Sequence, residues 1–546
     1  MPNLSRTAWI PTFALWALGL LVVAGYFASE WMLLSGEVGF PLDDTWIHLT
    51  FAENLAAGFG LSYNPGEPVA GSTSPLWTAL LALLTLLPGH PVLWPTVAAI
   101  FFHLASLSAT VRLAHRHGVG QVAAWVAGAL VALTSWMAWS ALSGMEICLF
   151  TFLSVAGMAR HARERLEPDL PPLAFAVLAL AAMARPEGFL LLLLAAFDRS
   201  FELPTSDSSA RLRWPGGPIL GGLLPALVAL APALLALRWV GGQALPTTFG
   251  AKVEPDHWLP STAYLDTVFG ILFRPQPAMT VLALVGTALL FERVAGRRHP
   301  GLLPGLWWIA LPLAYSVLSA SGRPLVGNFG RYFFPLFPVA AVLAVLAGER
   351  LAKRVGPALH LGRLAIPLRA LLAALLLIPT LGALAQGAGR FAQNVANVRD
   401  GDLTLAAWVR AEVHPDAVLA VQDIGAFGFF TPNRLVDLAG IATPEVQRAV
   451  RSARGPADPI GRAGMESFLE RQRPDLLLVF DTWFRVLEDR PEEFPVLFVV
   501  EVPGNITLGS DRIVVATTPW TRPEIFLRRA TPSTPSSGAT PPEPLN

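Results

Sequence analysis

Long runs of uncharged apolar residues recur along this chain, and they limit its fold more than any other feature. A helix needs about 20 such residues to cross a hydrocarbon core. Runs near 8–27, 92–111, 119–139, 143–159, 171–184, 187–198, 215–239, 276–292, 301–319, 332–348 and 366–386 predict about eleven transmembrane helices. Apolar residues make up 53% of the chain and charged residues only 14%, against about 25% charged in a soluble domain. Lipid leaves no partner for open backbone groups, so the predicted fold class is a polytopic α-helical membrane protein. The runs 171–184 and 187–198 are short, and read as two half-helices or as one helix broken at Pro186. The first run follows Arg6 and has no clear small-residue cleavage site behind it, so it reads as a retained helix.

Basic residues orient the spans. With the N-terminus in the cytoplasm, the inner loops collect 17 Lys and Arg residues and the outer loops up to residue 386 only six: Arg185, Arg238, Lys252, Arg274, Arg323 and Arg331. The positive-inside rule then predicts an odd number of crossings, with the C-terminal part outside the inner (plasma) membrane. The stretch Pro75–Leu87, bounded by Pro75 and Pro88, breaks the alternation if it spans, and is predicted to lie on the outer surface as an interfacial helix. A net charge of zero gives no reason to expect a nucleic-acid partner. The single cysteine, Cys148, rules out an intrachain disulfide and a thiolate metal cluster.

Beyond residue 395 the pattern changes. Helices are predicted over Leu403–Glu412 and Gly464–Arg471, and strands over Ala417–Val421, Arg434–Leu438, Asp475–Phe480, Val496–Val502 and Arg512–Thr517. Short apolar runs alternating with helices predict a small extracytoplasmic α/β domain over 395–528. The Pro-, Ser- and Thr-rich end, 529–546, reads as a disordered tail. Residues 1–390 form the predicted transmembrane catalytic domain, with the first outer loop at 28–91.

That loop is where chemistry is concentrated. From Ser29 to Pro91 it has no Lys or Arg, yet it carries Glu30, Glu37, Asp43, Asp44, Glu53 and Glu67. A carboxylate-rich segment without cations is suited to accepting protons or holding a metal. Pro41 before the acidic pair and Trp46, Ile47, Leu49 and Phe51 after it predict a short helix, with Asp43 or Asp44 as an N-cap or as a working group. Asp44 and His48, four residues apart, share a face. They supply only part of the ligand set that a divalent cation requires, so a metal cofactor stays undecided.

The run from Pro41 to Trp77, in which Pro41 and Leu42 lead into DDTWIHLTFAENLAAGFGLSYNPGEPVAGSTSPLW at 43–77, resembles the first outer loop of GT-C class glycosyltransferases, most closely an arabinofuranosyltransferase-like branch. SGME at 143–146, RPEG at 185–188, LPTTFGAKV at 245–253, GRYFFPLFP at 330–338, QDIGAFGFF at 422–430 and RLVDLAGI at 434–441 resemble that branch in the same order. Trp46 stands where the family has a smaller or tyrosine-like residue. The resemblance implies a GT-C-like fold and an inverting sugar transfer from a polyprenyl-phosphate donor to an extracytoplasmic glycan, lipid or protein acceptor, by a hexosyl- or pentosyltransferase of the cell envelope.

In such a reaction a carboxylate takes the acceptor hydroxyl proton. Family position gives that role to Asp43, with Asp44 orienting it or binding acceptor or metal; the two exchange roles in the alternative assignment. The anionic leaving group needs donors or cations, and Arg185, Lys252 and Arg331 are lone cations at a cation-poor outer edge. Their alternatives are snorkelling to the interface and a structural Arg185–Glu187 pair. Glu146 opens an apolar helix, as an acceptor-binding carboxylate or an ordinary N-terminal acid. The candidate set is therefore Asp43 and Asp44 as catalytic residues, with His48, Glu146, Arg185, Glu187, Lys252, Arg331 and Tyr332 around the substrates. Asp423, before Gly425, reads as a structural strand-to-turn corner. A competing class is a multi-pass transporter or flippase of a lipid-linked or polar substrate, which calls for paired broken helices or related halves; the sequence offers one broken pair, at Pro186, and no repeat. A receptor or scaffold leaves the acidic loop without a purpose.

Overall fold

A computed structural model describes residues 9–167, 169–200, 216–241, 259–292, 299–318, 330–358, 365–455, 458, 461–482 and 490–527. The predicted tail at 529–546 and Lys252 lie outside the described residues. Each of the eleven apolar runs contains a helix, among them Trp9–Leu33, Leu93–Arg116, Ile147–Leu166, Gly216–Gly241, Leu336–Ala358 and Ala365–Val398. Among the described residues four helices are long and apolar enough to cross a membrane alone, or six if each of two bent pairs forms one span. The chain is a polytopic helical membrane protein with a C-terminal α/β domain.

The bends have local causes. Gln121–Leu133 and Ser135–Leu142 meet at 58°, where Thr134 leaves helical geometry and its hydroxyl donates to the Leu130 carbonyl at 2.7 Å. That back-bond competes with the helix's own ladder, so no proline is needed. Thr262–Phe273, a helix too short to stand out in the sequence, meets Pro277–Phe291 at 113°. Gln276, between them, donates to the Thr134 hydroxyl at 3.1 Å. Ala174–Ala184 and Glu187–Ser200 are separate helices, with Arg185 between them in extended conformation. They pack closely, and a Cβ at Gly188 would collide with the Ala182 backbone. Pro75–Leu84 is the short helix expected there, with Pro75 in its first turn.

The chain forms two compact units. One comprises the described residues of 9–28, 96–233 and 259–389; the other those of 29–95, 234–241 and 390–527. In the first unit, Pro277–Glu292 lies against Leu336–Ala358 so closely that a Cβ at Gly286 would collide with the Leu343 carbonyl. Small residues are what permit such backbone approach between helices in lipid.

The second unit combines the first outer loop with a five-stranded sheet. Its strands are β1 (Val418–Val421), β2 (Arg434–Asp437), β3 (Leu476–Phe480), β4 (Val496–Glu501) and β5 (Arg512–Thr517), in the order β2-β1-β3-β5-β4. β2, β1 and β3 are parallel; β5 joins β3 and β4 antiparallel. Central β3 is buried along its whole length, which explains its unbroken apolar sequence, LLLVF. Ala420, Val436, Phe468, Leu477 and Val514 lie in the core. The outer loop is tied to this domain by reciprocal bonds between Asn64 and the Leu435 backbone at 2.9 and 3.0 Å. Tyr63 donates to the Ile424 carbonyl at 2.5 Å, and Glu37 pairs with Arg399 at 3.3 Å.

Candidate active site

The acidic pair opens the helix Asp44–Ala56, with Asp43 at its N-cap position. Asp43 makes no side-chain cap bond to that helix. Its two carboxylate oxygens instead accept from the Gly425 and Ala426 amides, at 2.6 and 2.7 Å. These amides open the helix Gly425–Phe430 of the α/β domain, so Asp43 satisfies donors that would otherwise have no partner. Gly425 is needed there, because a Cβ would collide with the Asp43 carbonyl.

Asp43 is only 7% exposed. Burial pushes its carboxyl up to about 7; the Ala426 and Gly425 amides pull against that and Asp44 adds to it. Asp44 and Asp423 are half-buried. Burial, then Asp43, Asp44 and Asp437, hold the Asp423 carboxyl well above the usual range. Asp437 is fully buried but well partnered, accepting from the amides of Ala439, Ile441 and Ala442. Burial and then Asp43 push the Tyr63 phenol up as well.

Trp46 is 2% exposed and lies among Phe40, Phe429 and Phe430, with ring centroids 4.9, 5.1 and 4.8 Å away. It is a core residue that seats the loop helix on the α/β domain. His48, also buried, lies one turn beyond Asp44. No group of three or more His, Cys, Asp or Glu among the described residues could hold a metal ion. A cavity beside this helix, about 350 Å³, is lined by Leu49, Glu53, Leu84, His90, Trp94 and Phe429. Burial alone pushes the Glu53 carboxyl up to about 7.

A second set of candidates comes together in the other unit. Arg185 pairs with Glu146 at 2.5 Å and Glu187 at 2.7 Å, and Tyr315 donates to Glu187 at 2.7 Å. Arg185 and Arg331 lie 4.9 and 5.6 Å from the Tyr332 ring centroid, and Arg331 reaches the Met145 sulfur at 3.4 Å. These ionic residues are buried, so their charges are held by one another. The sequence offered Arg185 with Glu187 as a structural pair, and Glu146 separately. Tyr315 carried no signal, because a lone tyrosine in an apolar helix looks like any interfacial aromatic.

Residues 392–528 match a family described as a domain of unknown function (DUF8728). No curated protein sequence matches the chain. Among solved structures, ArnT from Cupriavidus metallidurans in the apo state superposes with a TM-score of 0.57 at 14% identity, covering 95% of this chain and 100% of that one. The same protein bound to undecaprenyl phosphate gives 0.54 at 15%, covering 94% and 98%. The archaeal oligosaccharyltransferase AglB from Archaeoglobus fulgidus, in complex with an inhibitory peptide and a dolichol-phosphate, gives 0.53 at 13%, covering 93% and 75%. The fold is that of the GT-C class.

Proposed function

We propose that this chain is an integral membrane glycosyltransferase that moves a sugar from a polyprenyl-phosphate donor to an extracytoplasmic glycan, lipid or protein acceptor with inversion, as in the arabinofuranosyltransferase-like branch. The observation that carries the reading is Asp43, a buried carboxylate oriented by two backbone amides, with affinity for a proton near neutral pH. A base works best when its pKa lies near the working pH. Two of the roughly four acceptor sites of a carboxylate are used by the amides, and the rest are available to an acceptor hydroxyl. The fold shared with ArnT bound to undecaprenyl phosphate supports a polyprenyl-phosphate donor.

The acceptor oxygen attacks the anomeric carbon, its proton passes to Asp43, and the bond from that carbon to the phosphate oxygen breaks. The electron pair leaves on the lipid phosphate. Asp44 orients the acceptor, and His48 supports that end of the helix. Arg331 and Lys252 meet the growing phosphate charge, with Tyr332 beside Arg331. Arg185 holds Glu146 and Glu187 in place. The eleven helices cross the membrane with the N-terminus inside and the α/β domain outside. The test is a screen of polyprenyl-phosphate sugars, hexoses and pentoses, with the full chain in nanodiscs. One donor should be consumed with release of polyprenyl phosphate, and consumption of none would sink the reading.

One observation favours the transporter reading: the two bent helix pairs meet where Gln276 bonds to Thr134, and broken helices frame sites in transporters. Proteoliposomes that accumulate a soluble substrate while leaving every lipid-linked sugar intact would establish it.

A further inference from the structure

One glutamate of the outer loop is left without a partner. Glu30 accepts from the Gly39 amide at 2.9 Å, Glu37 pairs with Arg399 at 3.3 Å, and Glu67 pairs with Arg434 at 2.6 Å. Glu53, half-buried on the helix Asp44–Ala56, makes no hydrogen bond or ion pair among the described residues. A carboxylate taken partly out of water without compensation costs stability. Glu53 lines the cavity of about 350 Å³, all of whose walls belong to the second unit, so a ligand in that cavity meets it.

The chain brings no cation to it. No Lys or Arg lies between Ser29 and Pro91. The other titratable residue lining the cavity is His90, which burial holds toward its neutral form. Trp94 and Phe429 contribute aromatic walls, and aromatic faces attract cations. What fits is a cation from outside, and one that carries N–H donors makes the stronger contact with a carboxylate.

The place of the cavity says where that cation comes from. Pro88, Pro91 and Trp94 line it at the start of Leu93–Arg116, one of the four helices long enough to cross a membrane alone. The end of a spanning helix lies at the level of the lipid headgroups, where tryptophans collect. Leu83, Leu86 and Leu93, interleaved with the lining residues, are exposed, as side chains that face lipid are. We propose that this cavity binds the headgroup of a membrane phospholipid that carries a primary ammonium, with Glu53 as its counter-ion. The ammonium donates to the Glu53 carboxylate between Trp94 and Phe429, the lipid phosphate stays in the hydrated headgroup layer, and the acyl chains lie along the exposed leucines. The site is independent of the sugar-transfer chemistry.

The experiment is isothermal titration calorimetry on the full chain in dodecyl maltoside at pH 8, where Glu53 is ionised and a primary amine is charged. The probes are short-chain phosphatidylethanolamine, short-chain phosphatidylglycerol and free ethanolamine. The ethanolamine lipid binds roughly tenfold more tightly than the glycerol lipid. Glu53→Gln removes that preference while the glycerol lipid still binds, which an unfolded variant could not do. Equal binding of the two lipids by the wild type overturns the proposal, and so does a preference that survives Glu53→Gln. Free ethanolamine that binds as tightly as its lipid overturns it too, by making the ligand a soluble amine.

Discussion

The two groups of buried charges solve opposite problems. Around Arg185, each carboxylate has a cation within 2.7 Å, and the group is close to neutral. Around Asp43 the neighbours are other carboxylates, and the stabilising partners are backbone amides. A paired group resists change when protons come and go. A group of like charges held by amides stays poised to take up a proton. On the proposed function, the contrast separates a brace from a working site: the brace is buried throughout, whereas Asp44 and Asp423 beside Asp43 are half-buried.

The largest effect that tests this contrast is loss of the base. Asp43→Asn should lower the initial rate of sugar transfer roughly 100- to 10,000-fold, measured in nanodiscs at a temperature where the variant remains folded. Full activity would move the proton elsewhere. Next comes the brace. Arg185→Met strands Glu146 and Glu187 and should destabilise the chain by about 3–5 kcal/mol, read as a lowered melting temperature. Combining it with Glu146→Gln and Glu187→Gln should recover most of the loss; no recovery would show that Arg185 acts through something other than its pairs.

A smaller effect is the response to pH. Asp43 must be ionised to act, so the rate should fall about tenfold per unit as pH drops below about 7. Stability runs the other way. The carboxyls of Asp43 and Asp423 are raised on folding, so the folded chain holds protons that the unfolded chain releases above about pH 4. The stability contributed by protonation is full below that value and, for Asp43, is lost as pH rises through about 7. Thermal unfolding at pH 5 and pH 8 checks this, and a melting temperature that rises with pH would contradict it. The smallest effect is at Glu53, raised by burial alone. Glu53→Gln should stabilise the chain by up to about 1 kcal/mol at pH 8 and leave it unchanged at pH 5.

Much of the fold was legible because it rests on local signals. Lipid-length apolar runs marked the helices, and runs such as LLLVF marked the strands: the predicted strand Arg512–Thr517 has the observed bounds. The bend at Thr134 was not legible, since a threonine back-bond leaves no mark comparable to proline. The helix Glu445–Ala453 was missed because it is short and Val446 is its one buried residue. The acidic pair stood out through the absence of cations around it. Its partners did not: Gly425 and Ala426 contribute backbone amides, which every residue but proline carries. Asp423 looked structural because a strand followed by Asp and Gly is a common corner, and only its lack of hydrogen bonds sets it apart from Asp437.

The bonds between Asn64 and Leu435 join residues 371 positions apart. A ribosome adding about 5–20 residues per second needs roughly 20 to 70 seconds to make that stretch. For that time the newly made loop has no domain to close on. Its carboxylates stand in water, ionised and harmless, and they acquire their affinity for protons only when the last part of the chain arrives to bury them. Synthesis itself thus sets the moment at which the acidic pair can take up its buried setting.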